Sequence, residues 1–184
     1  MRYFYPSMEI NQMVNGLLIS LVVYSLIAIW YVVPWLKKLD KRQALTAPLW
    51  VHVFRYLSLY LLVAQREGYA ISDQTLKVVV IGDLSGAALA LAGIIFLRMR
   101  SRLGPVFAAL VLIASIADFV VGSYVRSQYG QDPEATGVWW LVFVFFAPLV
   151  LVTLPLLGWQ LYQRRGEALS AGSTSEGRRS SASD

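Results

Sequence analysis

Cysteine is absent from the 184 residues, and histidine occurs once. The first absence excludes disulfides, thiolate catalysis, thioether-linked haem and cysteine metal sites. The second leaves a single imidazole, so a bis-histidine haem would need two copies of the chain. Charge is scarce too: 15% of the residues are Asp, Glu, Lys or Arg, against about 25% in an ordinary soluble domain. HExxH, nucleophile-elbow, P-loop and clustered DxxxD patterns are missing, which removes the commonest enzyme signatures. The net charge of +5 and the pI of about 9.6 come without RNP-like, finger-like or helix-turn-helix patterns. Nucleic acid is therefore not an expected partner.

What the chain has is apolar length. It is 57% hydrophobic with a mean hydropathy of +0.57, whereas soluble domains are about 45–50% apolar. Five apolar stretches run from Val14 to Leu36, Ala44 to Ala64, Leu76 to Leu97, Leu103 to Val125 and Val138 to Leu161. Each is about 21–24 residues long, enough for a helix to cross a hydrocarbon core of roughly 30 Å. Alternating ten-residue strands are not seen, so the expected fold is all-α: a polytopic bundle of five transmembrane helices. The second stretch carries His52 and Arg55, and a re-entrant or interfacial helix is the competing reading of it. Arg55 in mid-segment fits a surface-lying stripe poorly.

Loop charge sets the expected orientation. Lys37, Lys38, Lys41 and Arg42 lie between stretches one and two, Arg98, Arg100 and Arg102 between three and four, and Arg164 and Arg165 after five. The other side mixes Arg2, Arg66 and Arg126 with Glu9, Glu67, Asp73, Asp132 and Glu134. The positive-inside rule then predicts an outside N-terminus and a cytoplasmic C-terminus. The first stretch lacks a small-residue cleavage site and is followed by its basic cluster, so it reads as an anchor rather than a cleaved signal. Trp35, Trp50 and Trp159 are expected at the cytoplasmic interface, and Trp139 and Trp140 at the outer one. Residues 1–13 read as an extracytoplasmic segment, residues 14–165 as the transmembrane domain, and residues 166–184, rich in Ser, Gly and Ala, as a disordered cytoplasmic tail. Five helices do not divide into equal halves, and no internal repeat is discernible. Pro48 and Pro105 are expected in first helical turns. Pro148 and Pro155 are expected inside the fifth helix, bending it for packing rather than as a hinge.

Four ionisable residues inside these stretches stand out: His52, Arg55, Asp83 and Asp118. A charge at the bilayer centre costs roughly 2.5–3.5 kcal/mol on insertion scales, so such residues usually face one another or a wet cavity. His52 and Arg55 are three apart and share a helix face, and Ser58 continues along it. Gly82 and Gly86 form a GxxxG continued by Ala90, with Asp83 beside it. Ala114 and Gly122 flank Asp118 at steps of four. Helices three and four are therefore expected to pack through these small residues, with both carboxylates near their contact. At 1.5 Å per residue both carboxylates fall about 5–6 Å to the outer side of the midplane, within reach of Arg55. One Arg cannot neutralise two carboxylates. Either His52 is charged, or one Asp keeps a proton, or a cation completes the balance. The reading adopted is that one Asp pairs with Arg55 and the other holds an exchangeable proton. A purely structural polar network, each bond adding about 0.6–2 kcal/mol, is the alternative.

The run LTAPLWVHVFRYLSLYLL, preceded by WYVVPWLKKL, resembles a group of small bacterial membrane proteins of unassigned function. Its members resemble this chain in a His-x-Phe-Arg second helix, a Gly-Asp in the third helix and an Asp in the fourth. The likeness spans about Leu17 to Arg165 and falls on His52, Phe54, Arg55, Gly82, Asp83 and Asp118. It implies a bacterial inner-membrane protein and carries no activity.

The polar group favours a small proton-linked transporter or permeation protein, with homo-oligomerisation expected at this size. One alternative is a structural or accessory subunit that binds another membrane protein. A second is a membrane-embedded enzyme acting on a lipid or isoprenoid, since two Asp and a His supply acid–base groups. The reading leans away from an enzyme and expects no cofactor and no metal. Membrane lipid is the expected surrounding partner.

Overall fold

Among the described residues of the computed structural model, five helical spans are long and apolar enough to cross a membrane: Val14–Lys37, Lys41–Arg66, Asp73–Arg98, Leu103–Val125 and Val142–Gln163. They suggest a multi-pass membrane protein. The structure describes residues 6–68, 71–129, 142–167 and 169. Trp139, Trp140, Asp132, Glu134, the first five residues and the tail from 170 lie outside the described residues.

The first span comprises α1 (Pro6–Ile27), a π turn (Ala28–Val32) and α2 (Val33–Lys37). α1 thus starts well before Val14, within the segment read as preceding the first span. The π turn stops two residues before Pro34. A proline ring clashes with the carbonyl four residues back, here that of Trp30. The wider turn takes up that clash without breaking the helix. The fifth span repeats the device. A π turn (Val142–Phe146) precedes α7 (Ala147–Gln163), and Pro148 sits in the first turn of α7 with Val144 four residues behind it. Pro155 is inside α7.

The second span comprises α3 (Lys41–Val53), a 3-10 segment (Phe54–Leu59) and α4 (Tyr60–Arg66). Asp40 caps α3: its Oδ1 accepts from the Gln43 amide at 2.7 Å. That cap starts the helix three residues before Ala44, so Pro48 lies inside α3 rather than in its first turn, a correction to the sequence reading. All three pieces pack along α5 (Asp73–Arg98), so this span runs beside its neighbour rather than lying across it. Ser72 caps α5, accepting from the Thr75 amide at 3.1 Å.

α6 (Leu103–Tyr129) follows α5 after a short turn. Ser101 N–H donates to the Phe96 carbonyl and Arg100 N–H to that of Leu97, a Schellman closure. Arg100 has φ 57° where glycine is usual. The tight closure folds α6 back onto α5, and these two form the most extensive helix pair. The fully buried apolar core includes Leu45, Leu49, Ala90, Leu97, Val111 and Leu157, in the half of the bundle that carries this turn and the Lys37–Lys41 turn. Large apolar side chains such as Ile19, Trp30, Ile113, Phe119 and Val120 face outward. Lipid tails would cover that surface.

Arg164, just past α7, clamps the same end of the bundle. Its guanidinium donates to the Leu36 and Leu39 carbonyls at 2.8 and 2.7 Å and to Gln160 Oε1 at 2.8 Å. Leu36 lies in the last turn of the first span, its carbonyl also accepting from Leu39 N–H at 3.2 Å, and Leu39 follows in the turn; helix ends run short of backbone donors, and a side chain from the fifth span supplies more. Lys41 Nζ reinforces the clamp by donating to the Glu167 carbonyl at 2.7 Å.

Candidate functional site

Within the second span, burial follows a step of three: His52, Arg55, Ser58, Leu61 and Ala64 are buried in turn. In an α-helix five such positions would wind off one face, because 3.6 residues complete a turn. A 3-10 winding has three residues per turn, so residues at i and i+3 eclipse. The Phe54–Leu59 segment therefore holds Arg55 and Ser58 on the face that meets α5.

Arg55 extends its guanidinium between α5 and α6. Nε–H donates to Asp83 Oδ1 at 2.7 Å, Nη1–H donates to Ser115 Oγ at 2.7 Å, and Nη2–H donates to Asp118 Oδ2. Three nitrogens thus meet three acceptors on two other helices. Charge-assisted bonds of this kind are about twice as strong as neutral ones, and the planar fork of Arg is shaped for them. The Arg55 side chain is 4% exposed, whereas those of Asp83 and Asp118 are 21% and 24% exposed. The cation is sealed inside the bundle, and both carboxylates open toward its margin.

Glycine makes the room. A Cβ on Gly86 would stand 2.6 Å from Arg55 Nη1, and one on Gly82 would overlap Asp118 Oδ1. The GxxxG stripe read as a helix-packing surface is also the bed on which the guanidinium and the Asp118 carboxylate lie. Ala90, the next small residue, is fully buried in the apolar core. Gly122 differs: a Cβ there would meet nothing within 4 Å, so no neighbour rests on it.

His52 does not join the cluster. Its ring is fully buried, with Nε2 3.4 Å from Thr153 Oγ1 on α7. Positions three apart on an α-helix are offset by about 60°, and at this level the two offsets point at different neighbours. His52 meets α7 and Arg55 meets α5 and α6. The Thr153 hydroxyl lies 3.0 and 2.9 Å from the Leu149 and Val150 carbonyls, to which it donates. Its oxygen is left to accept from Nε2–H, and Nδ1 has no partner among the described residues. An imidazole bonded this loosely adds little. His52→Leu is expected to fold with a stability within about 1 kcal/mol of the parent, since an apolar side chain of similar size leaves no new polar group unpaired. Thermal unfolding of the purified variant checks this.

Two partners were not singled out from sequence. Ser115 sits one helical turn before Asp118, a lone hydroxyl in an apolar run, and that spacing is a usable signal. Thr153 carries none, because threonine inside a membrane helix ordinarily bonds its own backbone, as it also does here. No group of three or more His, Asp or Glu side chains suited to a metal occurs among the described residues.

One guanidinium against two carboxylates leaves the cluster one negative charge in excess if both acids are ionised. In a low-dielectric interior that excess is costly, and a proton or a small cation removes it. The fold and this cluster define a class: a five-span helical bundle with an arginine–dicarboxylate centre among its second, third and fourth spans. Over residues 13–162 the chain matches the family described as a domain of unknown function, DUF8737, and it belongs to that family. The matched region contains every member of the cluster. No curated protein and no solved structure matches the chain.

Proposed function

We propose that the chain is a small proton-linked transporter or permeation protein of a bacterial inner membrane, with its N-terminus outside and its C-terminus in the cytoplasm. The observation that carries this reading is the Arg55 guanidinium bonded to carboxylates from two other spans, with His52 turned away toward α7. With His52 diverted, the excess negative charge is met at the carboxylates themselves. Their partial exposure beside a sealed arginine supports exchange there. Two carboxylates tied to one guanidinium titrate as a unit, so a single proton shared between them suffices. Loading it cancels the excess charge and releasing it restores the charge, which couples protonation to the grip on Arg55. A homo-oligomer is part of this reading, because five spans enclose little volume for a solute path.

The test is proton flux into proteoliposomes under an inward proton gradient, read with an entrapped pH-sensitive dye. Asp83→Asn and Asp118→Asn are each expected to lower flux by about a hundredfold or more, since a positioned proton-transfer group typically contributes about 10²–10⁴-fold. Each amide oxygen still accepts from Arg55, so both variants are expected to fold. Parent protein that carries no flux above empty vesicles would refute the proposal.

A further inference from the structure

The guanidiniums of Arg42 and Arg98, at the Arg164-clamped end of the bundle, have no hydrogen-bonded partner among the described residues, and neither do those of Arg100 and Arg102 in the adjoining turn. Arg98 ends α5, and Arg42 opens α3 with only a loose approach to Asp40, 3.9 Å between Nη2 and Oδ2. Both line one open groove of about 650 Å³, together with Trp35, Leu39, Gln43, Thr46 and Ala47. The groove therefore has two guanidiniums and no acidic side chain in its lining. The nearest acid, Asp40, is committed through Oδ1 to the α3 cap.

The neighbouring basic cavity shows what a spent site looks like. Its Lys41 and Arg164 are bonded to carbonyls of the chain, and Glu167 stands among them. That cavity is a clamp. The Arg42/Arg98 groove, which shares Arg42 with that cavity, has the same sign of charge and no acidic side chain in its lining.

We infer that the Arg42/Arg98 groove binds the phosphate of an anionic membrane phospholipid. Guanidinium is the side chain best matched to phosphate, through paired N–H donors. Headgroups with a phosphate and no ammonium suit it best, because the lining has no carboxylate to balance an ammonium beside the two arginines. The choice of a lipid over a free phosphate rests on what lies beneath. One and two turns before Arg98 on α5, Ile95 and Leu91 are exposed. Beyond Thr46 and Ala47 on α3, Trp50 and then Phe54 are exposed. Charged head and apolar rows thus stand in the order of a phospholipid, and Trp35, half exposed at the rim, is the kind of amphipathic ring that sits at headgroup level. Basic pockets between membrane helices take anionic headgroups elsewhere on the same physics. The inference does not depend on the carboxylate centre or on which side of the membrane this end faces.

The test is native mass spectrometry of the full-length protein titrated with phosphatidylglycerol or phosphatidylcholine of matched chains. Retention of phosphatidylglycerol is expected to exceed that of phosphatidylcholine by about tenfold or more. Arg42→Gln/Arg98→Gln is expected to abolish that preference. Lys38→Gln/Arg102→Gln removes the same charge from the same end outside the groove and is expected to keep it. Arg98→Gln alone, which breaks no internal bond, is expected to lose most of the preference and serves if the double variant is poorly folded. Equal retention of the two lipids, or equal loss in the Lys38/Arg102 pair, would overturn the inference in favour of diffuse surface charge. Displacement of the lipid by soluble glycerol phosphate at similar concentration would overturn it in favour of a free phosphate site.

Discussion

Arg55→Ala is expected to leave little folded protein. The substitution strips both carboxylates of their cation and Ser115 of its donor in one step. Removing one partner of a buried ion pair costs roughly 3–5 kcal/mol, because the remaining charge stays desolvated. Asp83 and Asp118 keep about a fifth to a quarter of their side-chain exposure, 21% and 24%. That places the loss near the lower bound, about 3 kcal/mol. Native proteins hold only about 5–15 kcal/mol in all, so the fraction lost is large. Arg55→Lys is expected to recover part of it, since one compact ammonium cannot face three acceptors spread round a planar fork. The triple change Arg55→Ala/Asp83→Asn/Asp118→Asn is expected to recover more, because no orphaned charge remains. The measurements are yield after mild detergent extraction and the unfolding midpoint. Arg55→Ala melting with the parent would show that the carboxylates do not depend on the guanidinium.

The glycines give the second large effect. Gly82→Ala and Gly86→Ala would ordinarily favour a helix by about 1 kcal/mol each. Here the added methyl meets Asp118 or Arg55, and neither side chain is free to swing aside, because each is fixed by the other. Overpacking costs of about 1–3 kcal/mol are expected to outweigh the propensity gain. The sign should reverse at Gly122, where an added Cβ meets nothing within 4 Å: Gly122→Ala is expected to be neutral or stabilising by up to about 1 kcal/mol. Unfolding midpoints of the three variants check the order. Three equal shifts would mean that the glycines on α5 are not a bed for the ionic cluster.

Much of this architecture is legible in the order of residues alone. Apolar length delimits the spans, and the fourth begins at Leu103 as the sequence reading has it, while its helix, α6, continues past Val125 to Tyr129. The second starts earlier than its hydropathy indicates because Asp40, a polar residue outside the apolar run, caps it. The π turns are hidden in a different way. Proline predicts that a helix must adjust, but only the packed bundle decides between a bend and a wider turn. Spacing within single helices placed Arg55, Asp83 and Asp118 at compatible depths, and the described chain brings them into one cluster. Ser115 was equally readable, one turn from Asp118. The partner of His52 was not, because periodicity fixes which side of α3 a residue takes and says nothing about which helix stands on that side.

In the proposed function, the Arg55 cluster carries one exchangeable proton between Asp83 and Asp118. Infrared difference spectroscopy of the purified protein across neutral pH tests it most directly, through the carbonyl stretch of a protonated carboxyl group. One such band is expected at neutral pH, lost as the medium is made alkaline and missing from Asp83→Asn or Asp118→Asn, in which a single acid faces Arg55. A parent spectrum with both carboxyls fully ionised at neutral pH, or a band that survives in each variant, would contradict it.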